Sequence, residues 1–295
     1  MSNILITGAT GNVGFEVIRF LTKLDTAHKV IAGVRNIDQA KKVLKGFPSL
    51  DYVLFDFEDF STFNDALKGI DRIFLLRPPH ISDIDKYFKP LLSKIKAKNI
   101  KEIIFLSVQG AEKSKIIPHN KIERLIIENG FNFIFLRPSY FMQNLTTTLI
   151  NDIQNKREII LPSGQAKFNW IDIENIGEAA AILLDEFDDY KNQAFEITGL
   201  ENESFTKVTE LINNIIEKPI KYRNVNPLKF YNIKKHEGMV KGMIIVMTLL
   251  HFLPRFQKEP SISDFYQRLT GKKPTDLNTF INREKKQFEK INKVT

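Results

Sequence analysis

The chain has 295 residues, 43% of them hydrophobic, with 43 Lys and Arg against 35 Asp and Glu and a formal net charge of +8. That length and apolar fraction allow a full α/β core, arranged as one large domain or up to two, and exclude a disordered chain. The absence of cysteine excludes a disulfide framework, a thiolate nucleophile and a cysteine-based zinc site; no metal is expected.

The N-terminus enters an apolar segment at once, without the basic region, long apolar stretch and cleavage site of a signal peptide, so a cytoplasmic location is expected. Short apolar runs rich in β-branched and aromatic residues follow at 3–7, 29–34, 51–56, 71–76, 101–107 and 131–137. Amphipathic segments of helical length separate them, for example 15–24 and 84–98. Near-continuous apolar strands alternating with helices predict βαβ units and a parallel sheet covered on both faces. The fold class expected is therefore α/β, a Rossmann-type doubly wound parallel sheet with a smaller C-terminal α/β substrate lobe. The first domain is set at 1–150 and the lobe at 151–295, with about 168–185 returning to the first domain.

After Arg137 the rhythm loosens. A helix from about Tyr140 is followed by a strand "EIILP", a Gly turn, "FNWID", a helix "NIGEAAAILLDEF", a strand "AFEITG" and a helix "TKVTELINNIIE". The apolar run "GMIIVMTLLHFL", 242–253, is well short of the roughly 18–20 residues of a spanning helix. It reads as a buried helix, and no membrane span is expected. Met239, Met243 and Met247 recur at i, i+4 and i+8, which would set three polarizable side chains on one face, either as core or as the wall of an adaptable aromatic pocket.

The basic balance, with a pI near 9.3, is compatible with nucleic acid, membrane or phosphate as partner. The lysines are spread along the chain, however, and the basic run "REKKQF" reads as a solvated helix face. No helix-turn-helix or clustered basic recognition helix is visible, so direct nucleic-acid binding is not expected.

"ITGATGNVG" places Gly8, Gly11 and Gly14 between the first strand and the first helix. Glycine suits a tight turn, close approach of backbone to a pyrophosphate and close packing of helix on strand, while N–H groups at the helix N-terminus receive negative charge. At the end of the second strand an NAD site usually carries an acid, and an NADP site an Arg; here "GVRN" offers Arg35, which favours NADP(H).

"GATGNVG", "VRN", "FDFED", "RPPH", "LRPSYFMQNL", "FNWIDIENIGEAAA", "FEITG" and "LTGKKPTDLNTF" together resemble the NmrA-like atypical short-chain dehydrogenases, nearest to the bacterial quinone and triphenylmethane reductases. The resemblance implies that Gly8, Thr10, Gly11, Asn12 and Val13 cradle the pyrophosphate and that Arg35 holds the 2′-phosphate. It also implies that Asp56 and Phe57 flank the adenine, and that Leu76, Arg77 and Pro78 lie beneath the cofactor with Ser107, Val108 and Gln109. Pro138, Ser139, Tyr140 and Phe141 would border nicotinamide and acceptor, with Tyr140 a candidate catalytic residue. Phe57 reads equally as core, and Ser107 as a hydroxyl that satisfies a loop.

Typical short-chain enzymes carry Tyr-x-x-x-Lys where this chain has His119-x-x-x-Glu123. In the resembling quinone-reductase branch that place carries a His, so the departure does not argue against catalysis. His119 is expected either to serve the site, bonding the cofactor ribose or protonating a developing oxyanion, or to cap the helix after Pro118. Glu123, one turn on, either orients the His119 ring or faces solvent. The reading that follows is an NADPH-dependent oxidoreductase passing hydride to a quinone-like or other aromatic acceptor. The alternative is a non-catalytic NADP(H)-binding redox sensor acting through a protein partner. A monomer and a homodimer both remain open.

Overall fold

The computed structural model describes residues 1–24, 26–115 and 117–290. Its strands are β1 (Asn3–Thr7), β2 (Lys29–Val34), β3 (Asp51–Leu54), β4 (Arg72–Leu76), β5 (Glu102–Leu106), β6 (Asn132–Pro138), β7 (Tyr140–Phe141), β8 (Glu158–Leu161), β9 (Lys167–Ile171), β10 (Gln193–Ile197), β11 (Asn202–Ser204) and β12 (Lys221–Asn224). The chain divides into two compact units. The first comprises Met1–Pro138, Ile173–Ile197 and Phe265–Lys272; the second comprises Ser139–Asp172, Thr198–Asp264 and the segment from Lys273. The first unit's N-terminal segment thus stops at Pro138, short of the expected residue 150, and the returning stretch runs on to Ile197.

The first unit is built on a seven-stranded sheet of order β10-β6-β5-β4-β1-β2-β3. Every neighbouring pair is parallel. The chain moves outward from β1 through β2 to β3, then crosses to β4 on the other side of β1. That reversal is the switch point of a doubly wound sheet, where a crevice opens at the carboxyl ends of the strands. Ile4, Leu5, Ile6, Ile103, Ile104 and Phe105 are wholly buried, which is why these strands read as unbroken apolar runs. The helix Asn12–Leu21 buries Val13, Val17, Ile18 and Leu21 on one face. The helix Ile84–Ala97 starts where the Asp83 carboxylate accepts the Lys86 N–H.

The second unit holds a three-stranded sheet of order β11-β9-β7 and the pair β12-β8 around its own apolar core, which includes Trp170, Phe205, Phe230 and Phe280. The helix expected from about Tyr140 is absent there; β7 is followed by a 3-10 turn at Met142–Leu145, and the α-helix begins only at Ile150. The β-branched Thr146 and Thr147 in between are poor helix formers, and their hydroxyls donate to the Gln143 carbonyl. The basic tail is more than a solvated face: Phe288 is wholly buried, and Arg157 donates to its carbonyl at 2.6 Å.

The apolar run lies in the helix Lys241–Phe252, of which only Ile244, Met247 and His251 are buried. The expectation of a buried helix is therefore wrong: one face is in the core while Val246 and Leu250 on the other are 54% and 47% exposed. Periodicity also misplaces the methionines. Met239 precedes this helix, in the turn after the helix Pro227–His236, so no three-methionine face exists. Among the described residues no helix is long and apolar enough to cross a membrane.

Candidate functional site

The glycine turn follows β1 directly. Gly8 has φ +62°, which an L side chain rarely adopts, and a Cβ there would lie 2.7 Å from the Leu76 side chain. A Cβ at Gly14 would sit 2.8 Å from the Gly8 carbonyl carbon. The Gly11 N–H donates to the Gly8 carbonyl at 2.9 Å, closing the turn, and Gly11 then caps the helix without any side-chain cap bond. Thr10, Gly11 and Asn12 are exposed, and the first helical turn carries no acid. N–H groups at that helix start are thus free to receive an anion, in the way a pyrophosphate requires.

Arg35 follows the last residue of β2 and is exposed. Among the described residues no partner engages its guanidinium. Next to it, Asn36 caps the following helix by accepting the Gln39 N–H at 2.9 Å. An unpaired cation with its backbone fixed on both sides suits a doubly charged phosphate. Asp56 accepts the Glu58 N–H at 3.0 Å, whereas Phe57 is 5% exposed and packs against Phe55 and Phe88 in the core of the unit.

Leu76, Arg77 and Pro78, all half-buried, close β4. The Thr7 hydroxyl ties β4 to the loop, donating to the Phe74 carbonyl and accepting the Leu76 N–H. Arg77 donates from Nη1 to the carbonyls of Pro78, Pro79 and Ile81. Beyond β5, the Ser107 N–H donates to Leu136 and the Gln109 N–H to Pro138, each across to β6. Val108 and Gln109 stay half-buried, and the Gln109 amide donates to Glu196 at 3.0 Å.

Glu123 overturns both readings given to it. In the helix Pro118–Glu128 it is 4% exposed, neither facing solvent nor bonded to His119. It accepts the Ser107 hydroxyl at 2.6 Å and a bidentate bond from Arg137, Nε at 2.9 Å and Nη2 at 2.7 Å. Glu112 pairs with the remaining Nη1 at 2.9 Å. Ser107 therefore spends its proton on Glu123 and turns only lone pairs elsewhere. Glu112, Glu123 and Arg137 escaped the sequence reading; the available signal was a charged residue inside the otherwise apolar "FNFIFLRP".

His119 does not cap the helix, whose N-cap is Ile117 with no side-chain cap bond. Its ring lies 6.0 Å from that of Phe105, and its pKa is pushed down to about 3 by burial and secondarily by the Arg77 charge. It is neutral at pH 7. A second histidine, His251, is pushed down to about 4 by burial.

These two depressed values predict an acid-labile fold. The unfolded chain takes up a proton on each ring near pH 6.5, while the folded chain does not until pH 4 or below. Stability is therefore full above pH 6.5 and declines as pH falls from 6.5 toward 4. The melting temperature is expected to drop between pH 7 and 4.5, and His119→Phe to flatten the decline. An unaltered pH profile in that variant would contradict the burial of the ring.

Tyr140 and Phe141 belong to the second unit. The Met247 carbonyl accepts from His251 Nδ1 at 2.7 Å, so Nδ1 carries the proton and Nε2 accepts the Tyr140 hydroxyl at 2.9 Å. Burial raises the Tyr140 pKa, so the phenol stays protonated. Trp170 packs edge-on to its ring at 4.9 Å. Ser139 is bonded to Asn169 at 2.7 Å. Among the described residues no cluster of three His, Cys, Asp or Glu is placed to hold a metal.

A doubly wound parallel sheet whose first turn is this glycine loop defines a Rossmann-type α/β protein. The chain belongs to the NmrA-like family, which it matches over residues 1–281. It is 28% identical to the prestalk A differentiation protein A of Dictyostelium discoideum, over 94% of this chain and 91% of that one. It is 24% identical to an NAD(P)H azoreductase of Xenophilus azovorans, over 91% and 93%. Two solved folds superpose on it: Citrobacter sp. triphenylmethane reductase complexed with NADP(H), at TM-score 0.83, 20% identity and coverage of 95% and 99%; and an Escherichia coli NADPH-dependent quinone oxidoreductase complexed with NADPH, at 0.82, 20%, and 95% and 99%.

Proposed function

We propose that this protein is an NADPH-dependent oxidoreductase that reduces a quinone-like or other flat aromatic acceptor. The observation that carries the proposal is the pairing of the glycine turn, where a Cβ at Gly8 or Gly14 would collide with the loop's own surroundings, with the exposed, unpartnered Arg35 at the end of β2. Relatives named as azo, dye and quinone reductases support the reaction class.

In this reading Gly8, Thr10, Gly11, Asn12, Val13 and Gly14 hold the pyrophosphate and Arg35 the 2′-phosphate. Asp56 and Phe57 border the adenine end, Phe57 from within the core. Leu76, Arg77, Pro78, Ser107, Val108 and Gln109 carry the middle of the cofactor, and Pro138 borders the nicotinamide. The bound nicotinamide supplies the hydride; the chain supplies proximity and orientation. With its pKa near 3, His119 serves as a neutral hydrogen-bonding ring rather than as a charged acid. Tyr140, protonated and bonded to His251, would border the acceptor as a neutral phenol.

Loss of NADPH absorbance against a panel of quinones, azo dyes and triphenylmethane dyes, beside an NADH control, tests the reading. NADPH-selective turnover that falls in His119→Ala is expected. Tight NADPH binding with no turnover on any acceptor would remove the enzyme and leave a sensor that works through a protein partner.

A further inference from the structure

The helix Lys241–Phe252 is apolar on both sides, yet only one side is covered. Ile244, Met247 and His251 enter the core at i, i+3 and i+7. On the opposite face and just beyond it stand Val240 (76% exposed), Val246 (54%), Leu249 (48%), Leu250 (47%), Leu253 (45%) and Phe256 (73%). A helix apolar all round belongs in a core or against a partner, and a contiguous exposed apolar patch marks an interaction surface.

Charge identifies the partner. Between residues 225 and 258 the chain carries six Lys and Arg and a single acid, Glu237, so this short stretch supplies five of the net eight positive charges. Glu237 is already paired with Lys156 and Lys234. Lys229, Lys235, Lys241, Arg255 and Lys258 are exposed and have no acidic partner among the described residues. A second copy docked face to face would set the unpaired basic residues of this stretch near those of its partner. A nucleic acid would neutralise these charges and leave the apolar side chains wet. Anionic lipid satisfies both parts: the apolar face enters the boundary between headgroups and acyl chains while the long basic side chains stay among the headgroups.

We propose that the face formed by residues 240–256, with the exposed Lys241 and Arg255 that it carries and the basic residues beside it in the chain, docks the protein on an anionic membrane surface. The helix is too short to span a bilayer, so the docking is interfacial and reversible.

Flotation of the full-length protein with phosphatidylcholine vesicles, with and without phosphatidylglycerol, tests this directly. On the order of tenfold more protein is expected with the anionic vesicles, with the difference shrinking as salt is raised. Leu250→Glu, at an exposed position outside the core, is expected to abolish flotation without shifting the melting temperature. Lys241→Glu, a second and independent variant, is expected to weaken it several-fold. No flotation with either vesicle, or equal flotation of Leu250→Glu and the parent protein, overturns the proposal. So does a dimer in analytical ultracentrifugation that Leu250→Glu dissociates, since that assigns the face to a second copy. Vesicle binding is read without cofactor or acceptor, so it stands or falls apart from the reductase reading.

Discussion

Changing Arg35 to Glu is expected to weaken NADPH binding on the order of 100-fold while NADH binding changes little. A hydrogen bond to a charged group contributes about 1.5–3 kcal/mol, every 1.4 kcal/mol is about a factor of ten, and the new carboxylate adds repulsion of the 2′-phosphate. Arg35 is exposed and no described residue depends on it, so the variant should fold normally. NADH lacks the 2′-phosphate and meets an acid where NAD sites usually place one. Titration of both nucleotides by quenching of the single tryptophan, or by calorimetry, decides the matter. Equal weakening of the two would mean that Arg35 does not face the 2′ position.

The second large effect belongs to Glu123. Glu123→Ala removes three hydrogen bonds at once, two from Arg137 and one from the Ser107 hydroxyl. Breaking a buried pair by deleting one partner costs about 3–5 kcal/mol, because the other charge remains buried. Arg137 keeps Glu112, which places the expected loss near the lower end, about 3 kcal/mol. Urea unfolding measures it as a fall in midpoint at constant slope. Glu123→Gln keeps the size and an acceptor for Ser107 but loses the charge, and should recover part of the loss. A midpoint that stays put in Glu123→Ala would show that the carboxylate is not held as described.

The parts of the fold that were legible are those dictated by burial on two sides. β1 and β2 match the apolar runs 3–7 and 29–34 residue for residue, and β4, β5 and β6 match theirs to within a residue at each end. A parallel strand covered by helices leaves no room for polar interruption. The glycine loop was legible because its demand falls on the backbone, where only one residue type serves. Glu123 was not. Its i, i+4 spacing to His119 says which residues share a helix face, but its partners lie at the ends of β5 and β6, and spacing along one helix is silent about what that helix packs on. The helix Lys241–Phe252 failed for a related reason: its hydrophobicity states that burial is favourable without saying what covers it. Tyr140 illustrates a third limit, since the pull of β9 on β7 comes from residues thirty positions away.

The first unit is assembled from separate pieces of chain, and this bears on how the protein is made. The helix Asn12–Leu21 lies against Ile173–Asp185 so closely that a Cβ at Gly177 would come within 2.7 Å of the Glu16 carbonyl carbon. A ribosome adding 5–20 residues per second needs on the order of 10–30 s to pass from one helix to the other. Throughout that interval the nascent chain carries an N-terminal helix whose later neighbour has not been synthesised. The glycine turn at its head is translated long before the helix Ile173–Asp185 exists to pack against. A fragment ending at residue 138 should therefore be a substrate for chaperones and proteases rather than a free-standing nucleotide-binding domain.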